Sequence, residues 1–320
     1  MAPTPSAPVL ESADRDPVAF GAGFAEEGIH VAVTSEGAEV ILQPKVVADF
    51  RGEALPADWF VEEWKEGGTA EVVEEGLRLS GTRAGYVNVF GADRSLEFVA
   101  TFNKRPHQHV GFGTNFRDVP WVSFSTKFGH SLYARSHFFI AEDNRLSASF
   151  LGSPHRFRID WNVIDVEYWI DGERVAHQLA PIVGYMRPLA SNASLGDGPV
   201  TVEWMRMSPY RPQGTFTSRV HDAGEPAVWV ACDFDLDLPP GTALVAEMRA
   251  GDAKEPDSGW SDWAPVSDPP TLRGRFAQYR MRLSTTDPSH TPVVRGVTLR
   301  YSVAAGSEGG GPGSSSSGSS

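Results

Sequence analysis

The residues of this chain that could do chemistry are concentrated in three segments, His109 to Phe116, Trp121 to Phe128 and Leu132 to Phe138. Apolar and polar residues alternate in each, the pattern of half-buried strands whose successive side chains point to opposite faces. Val122, Phe124, Thr126 and Phe128 then form one face of the middle strand, and Trp121, Ser123, Ser125 and Lys127 the other. Tyr133, Arg135 and His137 alternate with Leu132, Ala134 and Ser136, while His109, Gly111 and Gly113 stand opposite Val110, Phe112 and Phe116. Strands consecutive in sequence are usually neighbours in a sheet. His109, Trp121, Ser123, Tyr133, Arg135 and His137 are therefore predicted to lie side by side as a ligand-facing floor. Aromatic rings can stack on the apolar face of a sugar, arginine and serine can hydrogen-bond its hydroxyls, and glycines can let a ligand approach the backbone.

Other chemistries find less support. His107 and His109, and His130 and His137, lack a third metal ligand at a recognisable spacing, so no metal site is assigned. Ser136-His137 and Ser153-Pro154-His155 bring a hydroxyl and an imidazole together only in sequence. Gly196-Asp197-Gly198 reads as a turn, because no helix and no Lys-Ser/Thr follow it. Asn192-Ala193-Ser194 matches a glycosylation sequon. Glu142-Asp143 is expected in a loop, and Glu167 and Asp171 on a solvated strand face. The lone Cys232 is expected to be structural. Trp260 and Trp263 are expected to stack with Arg280 and Arg282.

The positioning elements are all strands. Turn residues punctuate the chain from Glu71 onward, where strands are predicted at Ala70–Leu79, Gly85–Val89, Leu96–Phe102 and Leu146–Leu151 besides the three above. Residues 154 to 178 read as a three-strand meander: Phe157, Ile159 and Trp161 alternate, Val166, Tyr168 and Ile170 alternate again, and Asp171-Gly172 supplies a tight turn. The stretch "HRFRIDW…VEYWIDGERV", followed by "MRPLASNASLGDGPVTVEWMRMSPY", resembles the back half of a concanavalin-like lectin/glucanase sandwich. It is similar to glycoside hydrolase family 16, over roughly residues 46 to 210.

That resemblance implies a jelly-roll sandwich, an extracellular setting and a carbohydrate or polysaccharide ligand. It also implies carboxylates spaced as E-x-D-x-x-E or E-x-D-x-E on the strand corresponding to Pro120–Lys127, where this chain has Trp121, Ser123 and Ser125 instead. No catalytic residue is assigned, with Glu97 as a lone candidate. Sandwiches of this kind often carry a structural calcium, for which Glu203 is the candidate and no other cofactor is expected. The segment "FTSRVHDAG…VWVACDF…TPVVRGVTLRYS" resembles small β-sandwich accessory modules of bacterial extracellular proteins, over about residues 215 to 303.

The 320 residues suffice for two cores, and the net charge of -13 argues against nucleic acid and anionic membranes as partners. No apolar run approaches the length needed for membrane insertion. The N-terminal stretch lacks the basic start and apolar core of a secretory signal, which leaves a cytoplasmic location open. The expected organisation is a flexible leader (1–17), a hairpin (18–45) pairing with the C-terminal sandwich, a concanavalin-like domain (46–210), a small β-sandwich (211–303) and a disordered Gly/Ser tail (304–320). The expected function is non-catalytic carbohydrate binding or surface recognition. The alternatives are a divergent glycoside hydrolase or polysaccharide-cleaving enzyme, and a structural module of a larger extracellular assembly. The sequence leaves the oligomeric state open.

Overall fold

The structure, a computed structural model, describes residues 8–127, 131–196, 198–266 and 272–303. His130, Asp197 and the expected tail at 304–320 lie outside the described residues. The described chain is almost wholly antiparallel strand, arranged in sheets of seven, eight and ten strands.

The seven-stranded and eight-stranded sheets enclose one core. Across the seven-stranded sheet the order is Ala141–Arg145, Ser131–His137, Trp121–Lys127, Gln108–Gly113, Arg187–Asn192, Thr82–Tyr86 and Trp59–Glu63. The eight-stranded sheet runs Glu173–Gln178, Val166–Ile170, Pro154–Trp161, Arg94–Thr101, Val200–Met207, Gly76–Ser80 and Thr69–Val73, with Val46–Ala48 beside Val200–Met207. The predicted meander forms the end of this second sheet. Its tight turn has Asp171 at φ 51° and Gly172 at φ 82°, the left-handed pair that a two-residue hairpin requires. Alternation delivers Phe98, Phe124, Phe157, Trp161 and Tyr168 to the space between the sheets, all buried. Phe157 meets Phe124 at 4.8 Å and Phe98 at 5.3 Å between ring centres.

The ten-stranded sheet has its own core, drawn from Phe20 to Leu42 and again from Tyr210 to Tyr301. The hairpin Ile29–Thr34 and Gly37–Leu42 joins this sheet, with Val40 and Ile41 paired to Val294 and Val293. The expectation of a flexible leader is overturned for residues 9–17. Val9–Asp14 pairs along Val297–Ser302, and Pro17–Gly21 is a short helix capped by Asp16. Asp14 is fully buried and anchors the strand, accepting hydrogen bonds from Tyr279 (2.9 Å) and Arg219 (2.8 Å) beside His221.

Two further expectations change. Ala70–Leu79 is two strands folded back at Gly76 (φ 120°), where a side chain would collide with the Val202 carbonyl. Leu146–Leu151 is a 3₁₀ turn over Ala148–Phe150, and the additional strand is Ala141–Arg145. Glu142-Asp143 thus sits in a strand at the sheet edge, not in a loop.

The hairpin also reaches the larger sandwich. Glu39 is buried and pairs with Arg206 (2.5 Å), Arg156 (3.2 Å) and Arg295 (3.5 Å). Beside these pairs a cleft of about 730 Å³ is lined by Glu97, Arg158, Trp169, Tyr210 and His290 among others.

Candidate functional site

The strand registers bring the predicted floor residues together on the outer face of the seven-stranded sheet. Trp121 stands opposite His137, Ser123 opposite Arg135 and Gly111, and Ser125 opposite Tyr133 and His109. The Arg135 guanidinium lies 4.9 Å from the centre of the Trp121 ring, whose edge meets His137 at 5.4 Å. Lys127 approaches the Tyr133 ring at 5.4 Å. Both cations bond Asp143 at 2.5 Å, so the carboxylate expected in a loop belongs to this face.

The middle of the floor is closed, contrary to expectation. Ser123 and Ser125 are fully buried and bond each other at 2.8 Å, and Ser125 bonds His109 Nδ1 at 2.7 Å. Ser123 therefore spends its hydroxyl inside the protein. Phe116, at φ 58°, folds over Gly113, so that a Cβ there would lie 2.9 Å from the Phe116 ring. At Gly111 a Cβ would lie 2.7 Å from the Ser123 Cα and 3.0 Å from Ile159. These glycines accommodate protein atoms; they do not open the floor. Burial, with the neighbouring charge of Arg135 and then His107, lowers the pKa of His109 to about 3, so its imidazole is neutral at ordinary pH.

The other half of the same face was not identified from the sequence. Arg83 and Arg117 hold their guanidinium groups 4.6 and 5.2 Å from the Trp64 ring, and the Trp64 indole N–H donates to Ser191 at 2.7 Å. Arg187 lies 5.2 Å over Phe60. Alternation in Arg187-Pro188-Leu189-Ala190-Ser191 carries the signal, but only the pairing of that strand with Gln108–Gly113 joins it to the floor.

No family model and no curated protein matches this chain. Among solved structures it is similar to a glycosyl hydrolase family protein from Mycobacterium fortuitum, at 12% identity, covering 52% of this chain and 100% of that one, with a TM-score of 0.40. It is likewise similar to the β-glucanase of Bacillus licheniformis, at 14% identity over 51% of this chain and 96% of that one, TM-score 0.39. A third likeness is to an immunostimulatory antigen and pseudo β-1,3-glucanase of Mycobacterium tuberculosis, at 11% identity over 51% and 98%, TM-score 0.39.

The remaining candidates take other places on the larger sandwich. Glu97 lies on the outer face of the eight-stranded sheet, across the core from the floor, and bonds Arg156 at 2.7 Å. Burial would raise its pKa, but the charge and hydrogen bond of Arg156, with Arg158 and Arg206, overcome that and hold it at about 2. It is a partner of arginine that stays ionised until the pH falls towards 2. Glu203 is buried with one carboxyl oxygen unpartnered, and the described residues contain no group of three His, Cys, Asp or Glu placed to hold a metal ion. Asn192 of the sequon is buried and donates to the Leu79 carbonyl at 3.1 Å, so the folded chain withholds that amide from glycosylation. Glu167 pairs with Arg174 and Asp171 with His155.

In the smaller module, Trp263 stacks between Arg280 and Arg249, each 4.5 Å from the ring centre; Arg249 takes the place expected of Arg282. Cys232 is half-buried, and burial with the charges of Asp233 and Asp14 pushes its thiol pKa up, away from reactivity.

Proposed function

We propose that the concanavalin-like sandwich binds carbohydrate on the outer face of its seven-stranded sheet and does not cleave it. The carrying observation is the placement of carboxylates on that face. On the strands of that face the carboxylates are Glu62 and Asp143, which lie on the two edge strands, six strand steps apart, each paired with arginine; Asp118, in the loop above Trp64, accepts a hydrogen bond from the Asn115 amide. At about 4.8 Å per step the separation is on the order of 29 Å, whereas two-carboxylate glycoside chemistry works at about 5 to 9.5 Å. Between them stand rings and hydrogen-bond donors, Trp121, Tyr133, Arg135 and His137, which suit the apolar faces and hydroxyls of sugars.

The test is Trp121→Ala. Trp121 is half-buried beneath Arg135 and His137, so its truncation is expected to cost less than the roughly 3 to 5 kcal/mol of a core tryptophan while abolishing retention on a polysaccharide gel. Retention unchanged in the variant would exclude the floor as the site. Reducing-sugar release from a glucan panel by the parent chain would exclude the non-catalytic reading.

A further inference from the structure

The charge of the proposed binding face is opposite in sign to that of the chain. The whole protein carries -13, yet the strands of this face present Arg83, Lys127, Arg135, Arg145 and Arg187 against Glu62 and Asp143. Arg117 adds a sixth cation from the loop above Trp64, while Asp118 beside it accepts a hydrogen bond from the Asn115 amide. Such a region concentrates anions at the surface of a molecule that otherwise repels them.

Within it is a recess of about 290 Å³ lined by Phe60, Glu62, Arg83, Thr114, Asn115 and Arg187. Arg83 is committed to Glu62 and the Asn115 carbonyl. Arg187 is not committed to any acid. Its Nη1 donates to the carbonyls of Tyr86 (3.1 Å) and Val87 (2.9 Å), its buried Nε has no hydrogen-bond partner, and no carboxylate among the described residues lies within ion-pair distance. A guanidinium fixed by carbonyls and stacked on a ring keeps its charge and its uncommitted Nη2, which can donate to an anion's oxygen. Gly113 is paired with Arg187 on one side and Trp121 on the other, so the recess and the floor are two strand spacings apart, roughly 10 Å. One sugar chain can touch both.

We infer that the glycan is anionic: a polymer of uronic acids or sulfated sugars, with a carboxylate or sulfate seated at Arg187 and the sugar rings against Phe60, Trp64 and Trp121. This rests on the reading of the face as a carbohydrate site.

The experiment is affinity electrophoresis of the full chain through gels holding polygalacturonate, dextran sulfate, neutral dextran or laminarin, with poly-glutamate as a non-sugar polyanion. Retention by polygalacturonate or dextran sulfate is expected, and whichever retains more identifies the anion. It should weaken about tenfold in Arg187→Gln and in Arg117→Gln, and fall as salt approaches about 0.5 M. Arg117 is exposed, so its variant remains informative if Arg187→Gln fails to fold. Equal retention by laminarin or dextran, insensitive to both variants, would overturn the anionic assignment and leave carbohydrate binding standing. Equal retention by poly-glutamate would also overturn it, as general polyanion attraction. No retention by any sugar polymer would remove both readings together.

Discussion

The two outer faces of the larger sandwich carry the same residue types and use them differently. On the eight-stranded sheet, Arg156 meets Glu97 and Glu39, Arg158 meets Asp160, and Arg206 meets Glu39 while stacking 4.0 Å over Trp204. The acid that completes this set, Glu39, is supplied by the hairpin of the smaller module. Over the seven-stranded sheet Arg117 and Arg187 also stack on rings, at Trp64 and Phe60, with no ion pair among the described residues. An arginine over an aromatic ring does not by itself distinguish an interface from a ligand site. The distinguishing feature is whether the protein provides the carboxylate.

Removing the provided acid should have the largest effect. Glu39→Gln leaves the fully buried Arg206 uncompensated and is expected to cost about 3 to 5 kcal/mol in urea unfolding. A loss below about 1 kcal/mol would erase the contrast between the faces. Acid titration comes next. The folded pKa of Glu97 is depressed from 4.5 to about 2, so its contribution is complete above pH 4.5 and is lost as pH falls towards 2. It amounts to about 3 kcal/mol, and the pH dependence of unfolding should flatten in that window in Glu97→Gln. On the other face, Asp143→Asn should cost less than about 1 kcal/mol, since its pairs with Lys127 and Arg135 are partly exposed. It should strengthen retention by polygalacturonate by freeing both cations. The smallest stability change is expected for Arg117→Gln, within about 0.5 kcal/mol by thermal melting, although retention falls.

Much of this arrangement was legible in the sequence, where local pattern decides the outcome. The meander, its Asp171-Gly172 turn and the shared face of His109, Trp121, Ser123, Tyr133, Arg135 and His137 all follow from two-residue periodicity and one turn signal. Periodicity assigns a side, however, and does not report what covers it. Ser123 is on the expected face but buried, its hydroxyl bonded to Ser125, which in turn bonds His109. The strand Ala141–Arg145 was missed because its turn lacks the usual glycine, asparagine or proline. Phe139 and Ile140 make that turn fully exposed to water, so the run "HFFIA" reads as continuing strand. Arg83 and Arg187 meet only through strands about a hundred positions apart, a pairing that no local signal contains.

The way the larger sandwich is held has a consequence for synthesis. Val9–Asp14 and Gly37–Leu42 precede the larger sandwich in the chain, but their partner Val293–Val303 is made after it. A lone hairpin is marginal in water, and bringing distant segments together costs entropy that grows with the intervening length. The larger sandwich draws its core from Val46 to Met207 and can close before the last strand exists. Its closing tethers its own ends: the Lys45 amide donates to the Met207 carbonyl at 3.0 Å, and the Arg211 amide to the Gln43 carbonyl at 2.9 Å. The waiting hairpin is thereby delivered beside the start of the C-terminal strands, so the folded insert acts as a clasp that turns a search across the whole chain into a short one.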